Sequence, residues 1–285
     1  MTKRLEGKVA LITGTAGGQG RAAAIRFAQE GALVVGCDTS EQRNRETVAT
    51  VVAAGDNMTG MAPVDLSDPE QARAWVEAAA AVHGRIDVVY NNASGARFGR
   101  IPDLSVEDWQ AGIRNELDLV FYVTKFAWPY LAKQGGVIIT TGSTSAYRAT
   151  PRSGFGAHCA AKGGVVALSR VFATDGAPDG IRAVTISPGP IHSPALERNF
   201  LSKVPGGEQM LISRLLTDRI GTPEDVAALA VFVASDEAAW LTGVDILLDG
   251  GYIAHDGVGP PPGARGQADL QPGSLRPHSD QGAQP

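Results

Sequence analysis

Thr13-Gly14-Thr15-Ala16-Gly17-Gly18-Gln19-Gly20 follows the apolar run Val9-Ala10-Leu11-Ile12 and leads into an Ala-rich segment, Arg21 to Glu30. A strand, a glycine turn and a helix in that order make a phosphate site, because residues without side chains let backbone N–H groups at a helix N-terminus approach a pyrophosphate. The glycines are spaced T-G-x-x-x-G-x-G rather than G-x-G-x-x-G, so Gly14, Gly18, Gln19 and Gly20 point to dinucleotide binding without the commonest fingerprint. An ordinary strand-to-helix turn is the alternative. A second apolar run, Leu33-Val34-Val35-Gly36-Cys37, weighs against it by ending in Asp38, about twenty residues beyond the glycines. A carboxylate there accepts from both hydroxyls of an adenosine ribose and repels a 2′-phosphate, which favours NAD. Arg21 and Arg43 lie near enough in sequence to keep NADP as the lesser reading.

The chain has 285 residues, 44% of them hydrophobic, enough for one large α/β domain with a substantial core. A formal charge of −5 gives no reason to expect nucleic acid or an anionic membrane as partner. No apolar run approaches the roughly 20 residues that span a bilayer, and Met1 to Glu6 lacks the apolar core of a signal peptide, so a cytoplasmic protein is expected. The two cysteines, Cys37 and Cys159, read as small buried residues rather than a disulfide framework. The five histidines show no spacing with Cys, Asp or Glu that would hold a metal.

Runs rich in Val and Ile alternate with helical segments, the pattern of a parallel sheet covered on both faces. A third strand is predicted over Met58 to Val64 and a helix over Asp68 to Val82, capped by Ser67 with Glu70. Asp65-Leu66 between them either flanks an adenine or forms a solvated turn. A fourth strand, Ile86 to Tyr90, runs into Asn91-Asn92-Ala93-Ser94, where amide side chains can tie strand ends together. One long helix is predicted from Val106 to Lys133, capped by Ser105 and Asp108, with Leu117, Val120, Phe121, Thr124 and Ala127 or Trp128 on its packed face. Asn115 lies within that helix, where an Asn is unfavourable unless something uses it.

The fifth strand, Val137 to Thr141, ends in Gly142-Ser143-Thr144-Ser145, and a helix over Phe155 to Thr174 carries His158 and Lys162 on one face. A sixth strand, Ala183 to Ser187, stops at Pro188-Gly189-Pro190-Ile191-His192-Ser193-Pro194. Ala195 to Arg219 is irregular amphipathic sequence of the kind that covers a cleft, and Thr222-Pro223-Glu224-Asp225 starts a helix. Val244 to Leu248 gives the last strand. Residues 1–254 thus form one dinucleotide-binding domain that includes the substrate cleft. Residues 255–285, rich in Pro, Gly, Gln and Ser, form a flexible tail with too little apolar surface to offset its ordering entropy.

Together, Thr13-Gly14-x-x-x-Gly18-x-Gly20, Asn91-Asn92-Ala93, Asn115, Ser143, Lys162, Pro188-Gly189, Leu241-Thr242-Gly243 and Asp249-Gly250-Gly251 resemble the short-chain dehydrogenase/reductase family over roughly Leu5 to Tyr252. The resemblance implies a Rossmann-type, doubly wound, seven-stranded parallel sheet in a three-layer α/β/α architecture, a nicotinamide cofactor across the strand ends, and a dimer or tetramer. It further implies that Asn92 contacts the cofactor, Asp65 and Leu66 border its adenine, and Pro188, Gly189 and Ile191 back the nicotinamide with Ser193 near its amide.

Two positions depart from the family. Asn-Asn-Ala-Gly ends here in Ser94, and Tyr-x-x-x-Lys appears as His158-Cys159-Ala160-Ala161-Lys162, without the tyrosine that exchanges a proton with the substrate oxygen. Histidine is itself an acid/base near neutral pH. A cationic Lys162 nearby disfavours imidazolium, leaving a neutral His158 better suited to accept a proton than to give one. The expected activity is NAD-dependent oxidation of a secondary alcohol of small to medium, fairly apolar character, more readily than reduction of a ketone. Ser143 holds the oxygen, Lys162 grips the nicotinamide ribose and Asn115 positions a relay water. Tyr147 either walls the substrate pocket, the favoured reading, or supplies the missing phenol. Two other readings stand beside this one: an enzyme of this fold without net redox turnover (isomerase, dehydratase or cyclase), and a catalytically silent cofactor-binding protein.

Overall fold

The computed structural model describes residues 3–150 and 154–255. The tail expected from residue 255 onward lies outside them, His255 excepted. In chain order the main elements are β1 (Val9–Thr13), α1 (Gly18–Gln29), β2 (Leu33–Cys37), α2 (Glu41–Ala53), β3 (Met58–Met61), α3 (Pro69–His83), β4 (Val88–Asn91), α4 (Val106–Ile113), α5 (Leu119–Leu131), β5 (Gly136–Thr141), α6 (Gly156–Gly176), β6 (Ile181–Pro188), the single turn α7 (Pro194–Leu196), α8 (Gly207–Ile212), α9 (Pro223–Ala234) and β7 (Val244–Leu248). A π-helical turn, Arg114–Asp118, joins α4 to α5.

All seven strands are parallel, in the order β3-β2-β1-β4-β5-β6-β7. The expected doubly wound sheet is therefore present, and its order reverses between β1 and β4. Alternation along a strand sends successive side chains to opposite faces. In β1, Ala10 and Ile12 join a core built with α1 and α9, while Val9 and Leu11 join one built with α3, α5 and α6. At the reversal, strand C-termini splay and leave a crevice, which is where ligands bind in open α/β sheets. Among the described residues no helix is long and apolar enough to cross a membrane.

Three local expectations change. β3 stops at Met61 because Pro63 has no N–H to donate to a ladder. The cap of α3 is Asp68, whose carboxylate accepts from the Glu70 N–H, while Ser67 donates to Asp65 instead. The helix predicted across 106–133 is interrupted by the π-turn. Its extra residue rotates the packed face, so Phe121 is exposed and Glu116, Leu119, Val120, Val123, Thr124, Ala127 and Leu131 are buried.

The start of α9 is as read from sequence. Thr222 Oγ1 accepts from the Asp225 N–H, and the Asp225 carboxylate accepts from the Thr222 N–H at 2.7 Å. Arg219 donates to both Asp225 oxygens at 2.6 and 2.9 Å. These contacts, that of Arg219 foremost, hold the Asp225 carboxyl at about 2, below its ordinary 3.8. A lowered carboxyl stabilises the fold above its unfolded value and loses that contribution as pH falls through the folded one. Asp225→Asn is expected to cost about 1–2 kcal/mol at pH 7 after allowance for solvent screening. The gap to the parent should close as pH falls from about 4 to about 2 in urea-unfolding series.

Candidate active site

The turn after β1 is shaped for an anion. Gly14 has φ +77°, and its N–H donates to the Cys37 carbonyl at 2.8 Å, fastening the turn to the end of β2. α1 begins with no side-chain cap and no acidic residue in its first turn, so its first N–H groups have no local acceptor. A Cβ on Gly17 would meet no atom within 4 Å, whereas a Cβ on Gly20 would lie 2.1 Å from the Gly14 carbonyl oxygen. Gly20 therefore lets α1 close onto the turn, and Gly17 leaves open the space an incoming phosphate would fill. Gln19 Oε1 is buried without a partner at the same helix start. The residues present fit the pyrophosphate of a dinucleotide.

Of the remaining predicted cofactor residues, Asp38, Asn92 and Ser193 border this turn. Asp38 accepts from the Ala16 N–H at 3.0 Å and the Ser40 N–H at 2.9 Å, so its carboxylate stands beside the glycine turn. Arg43 is held on the Ser40 hydroxyl, and Arg21 donates to Thr50. Asn92 ties β4 to β1: its side-chain amide donates to the Thr13 carbonyl and its N–H to Thr13 Oγ1. Asp65 accepts from Ser67 within a turn, and Leu66 is buried in the core. Pro188 ends β6, Gly189 donates to the Leu248 carbonyl, and Ile191 is buried against Gly221. Ser193 caps α7, and its Cβ comes within 3.8 Å of the position a Cβ would take on Gly18. The 188–194 loop thus reaches back over the glycine turn.

The second half of the site gathers beyond β4 and β5. Ser143 leaves the end of β5, and its Oγ accepts from the Ser145 N–H. Lys162 on α6 is buried and donates to the Thr141 carbonyl at 2.8 Å, which fixes α6 against the β5 terminus. Burial pulls the Lys162 ammonium below its ordinary value, opposed by the charge of Glu116. Asn115 occupies the π-turn, where its carbonyl accepts from the Gly95 N–H at 3.1 Å.

His158, one turn before Lys162, points Nδ1 at the Glu116 carboxylate, 2.8 Å from one oxygen and 3.0 Å from the other. Its ring is flanked by Phe155 and Phe98, with centroids 5.8 and 6.3 Å away, and its side chain keeps 17% of its exposure. Glu116 is fully buried and also accepts a hydrogen bond from the Ser94 hydroxyl. Burial alone would push the Glu116 carboxyl up. The hydrogen bond from His158, the charges of Lys162 and His158, and the Ser94 hydroxyl together bring it below its ordinary value.

Tyr147 is engaged with β7. Its hydroxyl donates to Asp245 at 2.5 Å, beside a second bond to Asp245 from Ser187. Partial burial and the Asp245 charge push the phenol up to about 12, so it stays neutral. Cys37 is buried as expected, whereas Cys159 is half-buried; burial raises both thiols, and neither is a thiolate at neutral pH.

Sequence reasoning missed Glu116 and took Ser94 as a mild departure. The signal for Glu116 was present: it lies four residues before Val120 and opens the stripe buried along α5. A charge at the head of an apolar stripe has to be satisfied or used.

A family profile described as enoyl-(acyl carrier protein) reductase matches residues 14–253. The chain is 36% identical over 255 residues to 3-oxoacyl-(acyl-carrier-protein) reductase FabG of Thermotoga maritima, covering 88% of this chain and 99% of that one. It is 36% identical over 256 residues to meso-2,3-butanediol dehydrogenase of Serratia marcescens, covering 89% and 98%. Among solved structures, a 7α-hydroxysteroid dehydrogenase complexed with NADH and 7-oxo-glycochenodeoxycholic acid superposes with a TM-score of 0.83 at 28% identity, over 88% of this chain and 96% of that one.

Two glycine substitutions separate fold from binding. Gly20→Ala forces a Cβ against backbone and is expected to cost about 2 kcal/mol or more, read as a lowered melting temperature. Gly17→Ala has room in the unliganded protein and should leave the melting temperature nearly unchanged, while weakening dinucleotide affinity measured by titration calorimetry.

Proposed function

Because the chain belongs to the short-chain dehydrogenase/reductase family of oxidoreductases, we propose that it is an NAD-dependent enzyme interconverting a secondary alcohol and a ketone, with His158 as acid/base. The observation that carries the reading is the placement of His158 and Lys162 on one face of α6, beside the β5 terminus that bears Ser143. A nicotinamide dinucleotide bound across the strand ends supplies the hydride acceptor for oxidation and the donor for reduction. Ser143 holds the substrate oxygen by its hydroxyl. His158 takes the hydroxyl proton during oxidation and returns it during reduction. Lys162 grips the nicotinamide ribose, and Asn115 positions a water for onward proton transfer.

Asp38 supports NAD over NADP, since its carboxylate stands beside the glycine turn where a 2′-phosphate would meet like charge. The Lys162 ammonium does not stand alone beside His158: the Glu116 carboxylate lies within 3.0 Å of Nδ1 with both of its oxygens. The exposed aromatic and aliphatic side chains around the mouth, Phe98 and Ile101 among them, support a fairly apolar substrate. Exposed Val106, Trp109 and Phe121 on α4 and α5 support a homo-oligomer.

The test is reduced-nicotinamide absorbance with NAD and a panel of secondary alcohols. His158→Gln keeps a donor for Glu116 but has no titrating group, and kcat should fall by about 10²-fold or more. Tyr147→Phe should retain most of kcat. Full activity in His158→Gln overturns the assignment, and turnover of a substrate without any nicotinamide signal replaces it with a non-redox reaction. A higher kcat/KM with NADP than with NAD would reverse the cofactor assignment.

A further inference from the structure

Both departures from the family pattern, Ser94 and His158, end on one carboxylate, that of Glu116. We propose that Glu116 is the positioning residue of the acid/base. It locks the His158 tautomer, orients the ring and carries the balancing charge when the ring is protonated, with Ser94 holding the carboxylate in place. This inference rests on the acid/base role given to His158 above.

The donor inventory leads to the tautomer. Glu116 is ionised at neutral pH, and an ionised carboxylate only accepts hydrogen bonds. Nδ1, within 3.0 Å of both its oxygens, must therefore carry a hydrogen. In a neutral imidazole that leaves the lone pair on Nε2, the state required of a base. During oxidation the substrate O–H proton passes to Nε2 as the electron pair of the carbinol C–H bond leaves with hydride for the nicotinamide, so the alcohol becomes a ketone. The Nδ1 proton stays between ring and carboxylate throughout. Glu116 exchanges no proton, and its charge stabilises the imidazolium.

Geometry keeps the pair together. The π-turn brings Glu116 onto the buried stripe, from which it reaches His158 across the gap between α5 and α6, while Phe155 and Phe98 restrict the ring from its other sides. The charged or titratable groups facing the ring are Glu116 from the π-turn, and Lys162 and the neutral thiol of Cys159 from α6 itself.

The ¹⁵N spectrum of histidine-labelled protein without cofactor, with His158 assigned by its loss in His158→Gln, tests this on the parent chain. The Nδ1–H tautomer is expected, and an Nε2–H tautomer overturns the proposal. In Glu116→Gln the amide can donate to Nδ1. The ring should then shift toward Nε2–H, and kcat should fall by about 10²-fold while cofactor KM stays within about twofold; Glu116→Asp should restore part of kcat. Glu116→Gln with the parent tautomer and kcat within about threefold overturns the proposal even if His158→Gln is inactive. Activity retained in His158→Gln removes the underlying acid/base reading instead.

Discussion

The arrangement beyond β4 and β5 depends on taking one carboxylate out of water. A buried Glu without partners would protonate or unfold its surroundings, since the effective cost of an unpaired interior ion is several kcal/mol. Glu116 avoids this because a hydroxyl, an imidazole N–H and a nearby ammonium converge on it from three segments, the loop after β4, and two successive turns of α6. Removing any one of them unbalances the others. Loss of one partner of a buried pair typically costs about 3–5 kcal/mol, because the remaining charge is left uncompensated.

The rest of the fold places this cluster opposite the glycine turn. The order reversal between β1 and β4 opens a crevice, Gly20 lets α1 pack close to β1, and Asn92 ties the two strand ends with bonds to Thr13. On the other side, Lys162 fastens α6 to the Thr141 carbonyl, so His158 cannot move independently of the strand that presents Ser143. The same lysine that anchors the helix also interacts with the Glu116 charge.

Most of the sheet was legible because its signal is local. Val and Ile runs bounded by glycine and polar turns gave every strand but β3, whose residues are Met-Thr-Gly-Met, and Thr222-Pro223-Glu224-Asp225 gave the start of α9 from cap chemistry alone. Errors came where a neighbour in the chain competed for the same role. Asp68, placed directly before Pro69, caps α3 in preference to Ser67, and Pro63 cuts β3 short. The π-turn was not legible, because its extra residue satisfies the same apolar spacing as a continuous helix until the face shifts by one position. Glu116, four residues before Val120, stood at the head of the apolar stripe, but its type reads as solvated and only the structure shows it buried. His158 was visible in sequence four residues before Lys162, whereas the carboxylate on its Nδ1 required the third dimension.

Two arrangements share the crevice: a glycine turn shaped for a pyrophosphate, and His158 and Ser94 both bonded to the buried Glu116 carboxylate. A crystal structure of the ternary complex with NAD and a secondary alcohol tests this account most directly, through the distance from His158 Nε2 to the alcohol oxygen. The account predicts hydrogen-bond reach, about 2.6–3.2 Å or through one water, with Nδ1 still on Glu116. An Nε2 turned away between Phe98 and Phe155, with the alcohol oxygen held by other groups, would contradict it.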